Sequence, residues 1–252
     1  MRWLFVLVIG VLIGGAVVAV LRPDPTSDEV FTREAVWRID DETAQELFEC
    51  GTNTGGKGGE TECSLGVMEA GGASEEAQSF FRETHWFLTA FRESGVVDIG
   101  GVVVPWRANA NDDYLLVNGS PSFVTVEREA PPVALFGQDP AYEPLREAVN
   151  RTDDIPDEDD LVLWETDEVF EAVRRGDGKL RFVFQWSLKD ACHACDTGYS
   201  ARVALEFARD GTYLNAEPLN ICFAREPGRD VERVEAEAPV CPATTPLGDA
   251  SS

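Results

Sequence analysis

Lysine is almost missing from this chain: Lys57, Lys179 and Lys189 are the only three, and histidine is reduced to His85 and His193. Against 21 basic residues stand 46 acidic ones, for a formal net charge of −25. That balance excludes nucleic acid as a partner, because phosphate contacts need clustered Lys and Arg. Two histidines leave a hydrolase triad almost no choice of base. Neither a Gly-x-Ser-x-Gly elbow nor a His-Glu-x-x-His helix is present. The acids are spread along the chain, which suits a solvated surface in high salt, where screening removes self-repulsion. The densest run, Asp153 to Asp160, has neither the spaced ligands nor the bend glycine of a calcium loop, so it reads as a hydrated linker. No metal site and no cofactor are expected.

One phosphate-binding pattern is nearly complete and fails on chemistry. Gly51-x-x-x-x-Gly56-Lys57 matches most of a P-loop, but Gly58 stands where a magnesium-binding hydroxyl is required. No apolar strand leads into it, and nucleotide binding is not expected.

What is present is a core-forming composition, 44% hydrophobic and 10% aromatic, which argues against global disorder. Met1-Arg2-Trp3 precedes an apolar run from Leu4 to Leu21, at the border between a signal-peptide core and a short membrane span. Arg2 before the run and acids after Arg22 keep the N-terminus in the cytoplasm and export the body. Val17-Val18-Ala19 is a weak cleavage site, so an uncleaved or slowly cleaved anchor is preferred to a cleaved signal. The expected location is the cytoplasmic membrane with the body outside, or the periplasm if the segment is cut.

The six cysteines all follow that segment: Cys50, Cys63, Cys192, Cys195, Cys222 and Cys241. An even count in an oxidising compartment reads as disulfides. Nearest-neighbour pairing is the simplest connectivity: Cys50–Cys63, Cys192–Cys195 and Cys222–Cys241.

The expected fold is α+β: antiparallel sheets, each packed with one or two helices, behind the N-terminal membrane anchor or signal segment. Residues 1–22 are the anchor or signal and 23–130 a first module with a Gly-rich loop. A Pro-rich and acidic linker spans 131–160, a second module with a Cys-x-x-Cys hairpin 161–225, and an acidic tail 226–252. In the first module a short helix should start at Asp40-Asp41-Glu42-Thr43 and run through Leu47 and Phe48. The glycines between Cys50 and Cys63 have no intrinsic order. Ser74 to Glu93 gives the strongest helical pattern, capped by Ser74 and ended by Gly95. His85 falls beside its apolar stripe, as a flank residue rather than a ligand. A strand over Val96–Trp106 is interrupted at Gly100-Gly101. Tyr114–Val117 and Ser122–Val126 form a hairpin about Asn118-Gly119, where a turn explains an apparent glycosylation acceptor. A short helix follows Asp139-Pro140.

In the second module Thr166 to Arg175 reads as a capped helix. Leu180, Phe182, Phe184, Trp186 and Leu188 alternate to one face, and so do Tyr199, Ala201, Val203, Leu205 and Phe207, which predicts half-buried antiparallel strands. Asp210-Gly211 then turns the chain into a further short strand.

Cys192-His193-Ala194-Cys195 sits between those two strands. A thiol redox centre needs a stabilised thiolate, and His193 supplies positive charge. Asp190 and Asp196 oppose it, and no helix N-terminus follows. Three uses are open: a structural disulfide, a redox pair of Cys192 and Cys195 with His193 between them, or a metal site that adds Cys222. A haem attachment needs His where Asp196 stands. Arg107, Asn109 and Asn111 are the other binding candidates, on a polar loop before the hairpin. The chain is thus expected to be a non-enzymatic envelope protein, a binding or structural module held by disulfides. A thiol–disulfide oxidoreductase and a metal-binding domain are the alternatives. Its partners would be the membrane, through residues 4–21, and an envelope protein or small ligand.

Overall fold

The computed structural model describes residues 30–53, 59–105, 112–150, 161–190, 196–223 and 239–241. Helices α1 (Asp41–Asn53), α2 (Gly59–Ala70) and α3 (Glu75–Thr84) come first. A four-stranded antiparallel sheet follows, β1 (Phe87–Arg92), β2 (Asp98–Val103), β3 (Asp112–Val117) and β4 (Phe123–Thr125), in sequence order. Helix α4 (Tyr142–Asn150) leads to a second one, β5 (Leu161–Arg174), β6 (Leu180–Asp190), β7 (Asp196–Phe207) and β8 (Tyr213–Phe223), again in sequence order. The class is α+β with two antiparallel sheets, as the sequence indicates.

The layers follow from alternation. Along β3, Leu115 and Val117 face α3 and pack with Phe31, Phe80, Leu88 and Phe91. Leu116 points the other way, into a core shared with Ile99, Phe182, Phe184, Trp186, Tyr199 and Phe207. Helices therefore cover one face of the first sheet and the second sheet covers the other. Helix α4 joins the same core through Leu145, which is wholly buried. Both strongly alternating runs, from Leu180 and from Tyr199, line it as expected.

The two sheets also interlock at their turns. Ser120 N–H donates to the Gly211 carbonyl at 2.9 Å, and Tyr213 N–H donates to the Ser120 carbonyl at 2.9 Å. A Cβ added at Gly119 would lie 2.8 Å from the Gly211 oxygen, so glycine is needed for the approach. Asn118 takes φ 65° in this turn, a left-handed conformation that asparagine tolerates.

Two expected helices are corrected. The pattern over Ser74–Glu93 divides at His85, whose φ of 60° closes α3. Ser74 caps the start as expected, its Oγ accepting from Ala77 N–H at 3.0 Å. At the end, Thr84 Oγ1 donates to the Phe80 carbonyl at 2.8 Å and accepts from Trp86 N–H at 3.1 Å, turning the chain into β1. The register of β1 on β2 slips between Leu88 and Ala90. That extra residue places Leu88 and Phe91, three apart, on one face of a strand, and so counterfeits helical spacing. Gly100 makes room for it: a Cβ there would meet Leu88 Cδ1 at 2.6 Å.

The second correction is Thr166–Arg175, which lies within β5. Its pairing with β6 slips three times, between Trp164 and Thr166, Thr166 and Glu168, and Val169 and Glu171. Each slip breaks the two-residue alternation from which a strand is recognised. The unbroken backbone edge of β6 overrides the local preference, and Thr166 pairs with Trp186 instead of capping a helix.

A third difference concerns the Gly-rich segment. Cys50 lies in α1 and Cys63 in α2, so the helices reach well into the stretch between them. The Cys50–Cys63 disulfide joins the two helices, and Leu47 of α1 and Met68 of α2 are buried in one cluster.

Candidate functional site: the outer face of the second sheet

The face of β6 and β7 turned away from the core is polar and yet buried. Cross-strand partners on it run Arg181 with Glu206, Val183 with Ala204, Gln185 with Arg202 and Ser187 with Ser200, and Lys189 continues the row on β6. Gln185 and Lys189 are each 6% exposed, Ser187 3% and Ser200 1%. On a half-buried strand such positions normally carry solvated side chains, so this stripe is the most unusual polar feature among the described residues.

One end of the stripe is an ion cluster around Glu206, whose side chain is 8% exposed. Arg175 Nη1 lies 2.7 Å from Glu206 Oε1, Arg181 Nε 3.6 Å from the same oxygen and Lys179 Nζ 3.9 Å from Oε2. Arg181 also bonds Glu217 across the sheet. Burying one carboxylate is tolerable here because three cations surround it, all of them keeping contact with water. In the middle, Gln185 Nε2 donates to Ser200 Oγ at 3.4 Å, while Gln185 Oε1 meets no donor among the described residues. At the start of β7, Thr197 Oγ1 donates to the Leu188 carbonyl at 2.7 Å. Cys222 stands opposite Ser200, wholly buried and bonded to Cys241.

The arrangement offers charge and hydrogen bonds. Among the described residues no group of three or more His, Cys, Asp or Glu could hold a metal ion. His85 is the exposed cap of α3. Tyr213, half-buried, donates to Glu129 Oε2 at 2.7 Å. Its hydroxyl is pushed well above its ordinary pKa, first by burial and then by that carboxylate, which makes it a fixed donor rather than an acid.

Of the residues singled out in the sequence, Cys50, Cys63, Cys222 and Cys241 form the two expected disulfides. Arg107, Asn109, Asn111, Cys192, His193, Cys195 and the apolar run 4–21 lie outside the described residues. Within the described residues no helix is long and apolar enough to cross a membrane. Asn118 proves to be structural: its Nδ2 donates to the Phe31 carbonyl at 2.8 Å and to Asp98 Oδ2 at 2.7 Å, and its Oδ1 accepts from Phe31 N–H at 2.8 Å. A nitrogen so engaged is a poor glycosylation acceptor. The polar stripe itself was missed, although its signal is present: Arg181, Gln185, Ser187 and Lys189 alternate with the core residues of β6.

Comparison of the chain with protein-family models, with curated proteins and with solved structures finds no match.

Proposed function

We propose that this chain is an exported, non-enzymatic module of the cell envelope, carried on the apolar segment 4–21 and stapled by disulfides. It acts by binding or organising a partner rather than by transforming a substrate. The observation that carries this is the pair of disulfides, Cys50–Cys63 and Cys222–Cys241. Such bonds persist in oxidising compartments and are rare in the cytosol. The acid excess and the polar outer face of the second sheet favour a binding role. The test is fractionation of cells expressing the full chain, with protease added to intact spheroplasts. Membrane association with a protease-sensitive body is expected. A protected body in the cytosolic fraction would refute the proposal.

A second function draws on the placement of the cysteines. β6 ends at Asp190 and β7 begins at Asp196, so both flank Cys192 and Cys195. β8 ends at Phe223, beside Cys222, at the same end of the sheet. That supports an extracytoplasmic thiol–disulfide protein using Cys192 and Cys195. The Cys192→Ser, Cys195→Ser variant separates the two: loss of disulfide exchange in an intact fold favours redox function, and simple loss of stability favours scaffolding.

A further inference from the structure

We propose that the Cys222–Cys241 disulfide is a reducible latch that holds a strap, residues 239–241, on the edge of β8. Among the described residues its other attachments are two backbone hydrogen bonds. Phe223 N–H donates to the Pro239 carbonyl at 2.8 Å, and Cys241 N–H donates to the Phe223 carbonyl at 2.8 Å. Pro239 is exposed and Val240 is 73% exposed, so the strap contributes no apolar burial. Two backbone hydrogen bonds do not offset the entropy of ordering three residues and closing the chain back on the sheet. The covalent bond does, because it makes that closure permanent.

β8 itself does not depend on the latch. Ile221 N–H, on the same edge, donates to Asp139 Oδ2 at 2.8 Å. Ile221 is fully buried in the shared core, and Tyr213 N–H is held by Ser120 at the other end of the strand. Opening the latch therefore frees the strap and leaves the strand. It breaks the hydrogen bonds that the Phe223 N–H and carbonyl make to the strap, the kind of backbone pairing by which an extended peptide adds to a sheet edge.

The chemistry is thiol–disulfide exchange with a dithiol. One thiolate of the dithiol attacks the Sγ of Cys241, the partly exposed residue of the pair, whereas Cys222 is buried. The bond between the two sulfurs breaks, its electron pair leaves on Cys222 Sγ, and that sulfur takes up a proton. The second thiol of the reagent then closes on the first, and Cys241 leaves and is protonated in turn. Two electrons and two protons pass to the protein, and the reagent departs as a cyclic disulfide.

The test is amide hydrogen exchange on the full chain and on its Cys222→Ser, Cys241→Ser variant, with Cys50→Ser, Cys63→Ser as the control. The oxidised protein is also measured in dithiothreitol, which keeps the test open if the variant folds poorly. In the opened form the Phe223 and Cys241 amides should exchange at least about tenfold faster, as expected for local release. The Ile221 and Tyr213 amides should keep their protection, and the control should leave all four unchanged. Continued protection of Phe223 and Cys241 after reduction would overturn the latch. So would loss of protection along all of β8, since the bond would then be a staple of the whole strand.

Discussion

Asn118 offers the sharpest test of how the first sheet is held. It occupies φ 65° and makes three side-chain hydrogen bonds, two to the backbone of Phe31 and one to the buried carboxylate of Asp98. Asp98, 7% exposed, also accepts from Ser94 N–H at 2.7 Å and Gly95 N–H at 3.2 Å. Asn118→Gly removes the three bonds and keeps the backbone relaxed. At about 1 kcal/mol net per bond it should lose about 2–3 kcal/mol. Asn118→Ala adds left-handed strain of about 1 kcal/mol, so alanine should be the worse substitution, the reverse of its usual advantage over glycine. Asn118→Asp sets a carboxylate against Asp98, where the amide nitrogen now lies 2.7 Å away. Like charges that close raise the pKa of the pair in the folded state. The folded variant then holds a proton that the unfolded chain releases above about pH 4. Its deficit should accordingly be smallest below that pH and should grow as pH rises through the raised folded value. Urea unfolding followed by tryptophan fluorescence measures all three variants. If alanine and glycine both fall within about 0.5 kcal/mol of the parent, the range of an ordinary surface change, the Asn118 node is not a structural element.

Three other consequences are as direct. Gly119→Ala places a Cβ 2.8 Å from the Gly211 carbonyl oxygen and 3.2 Å from Val97 Cγ2; unfolding measurements should show a loss of about 1–3 kcal/mol from overpacking. Phe184→Ala empties a wholly buried site in the core between the sheets, and the same assay should read about 3–5 kcal/mol. With a formal charge of −25, the chain should gain stability steadily between 0.05 and 2 M potassium chloride, read as a rising Tm; a flat response would mean that the acids do not repel one another appreciably.

Much of this fold is legible in the sequence, and the exceptions have a common cause. β6 and β7 are recognisable because Leu180 to Leu188 and Tyr199 to Phe207 alternate without a break against one continuous core. β1 and β5 are not, because bulges shift their register and rephase the alternation, once in β1 and three times in β5. In β1 the slip gives Leu88 and Phe91 helical spacing; in β5 the slips leave Thr166 and the acids after it looking like a capped helix. The pairings of Cys50 with Cys63 and Cys222 with Cys241 follow from proximity along the chain. The role of Asn118 does not, since its main partner, Phe31, is 87 residues away. The stripe from Arg181 to Lys189 is visible as alternation, but nothing local tells that Gln185, Ser187 and Lys189 are buried. Composition predicts an acidic, solvated surface and not three cations gathered on one carboxylate, Glu206.

The claim at the centre of the account is that the chain lives outside the cytoplasm with its disulfides closed. It is met most directly by trapping thiols with an alkylating agent at the moment of cell lysis and mapping the cysteine peptides by mass. Peptides linked through Cys50–Cys63 and Cys222–Cys241 in the bulk of the protein are the predicted result. Alkylated thiols at those four positions in the bulk of the protein would contradict it, and would place the chain in a reducing compartment.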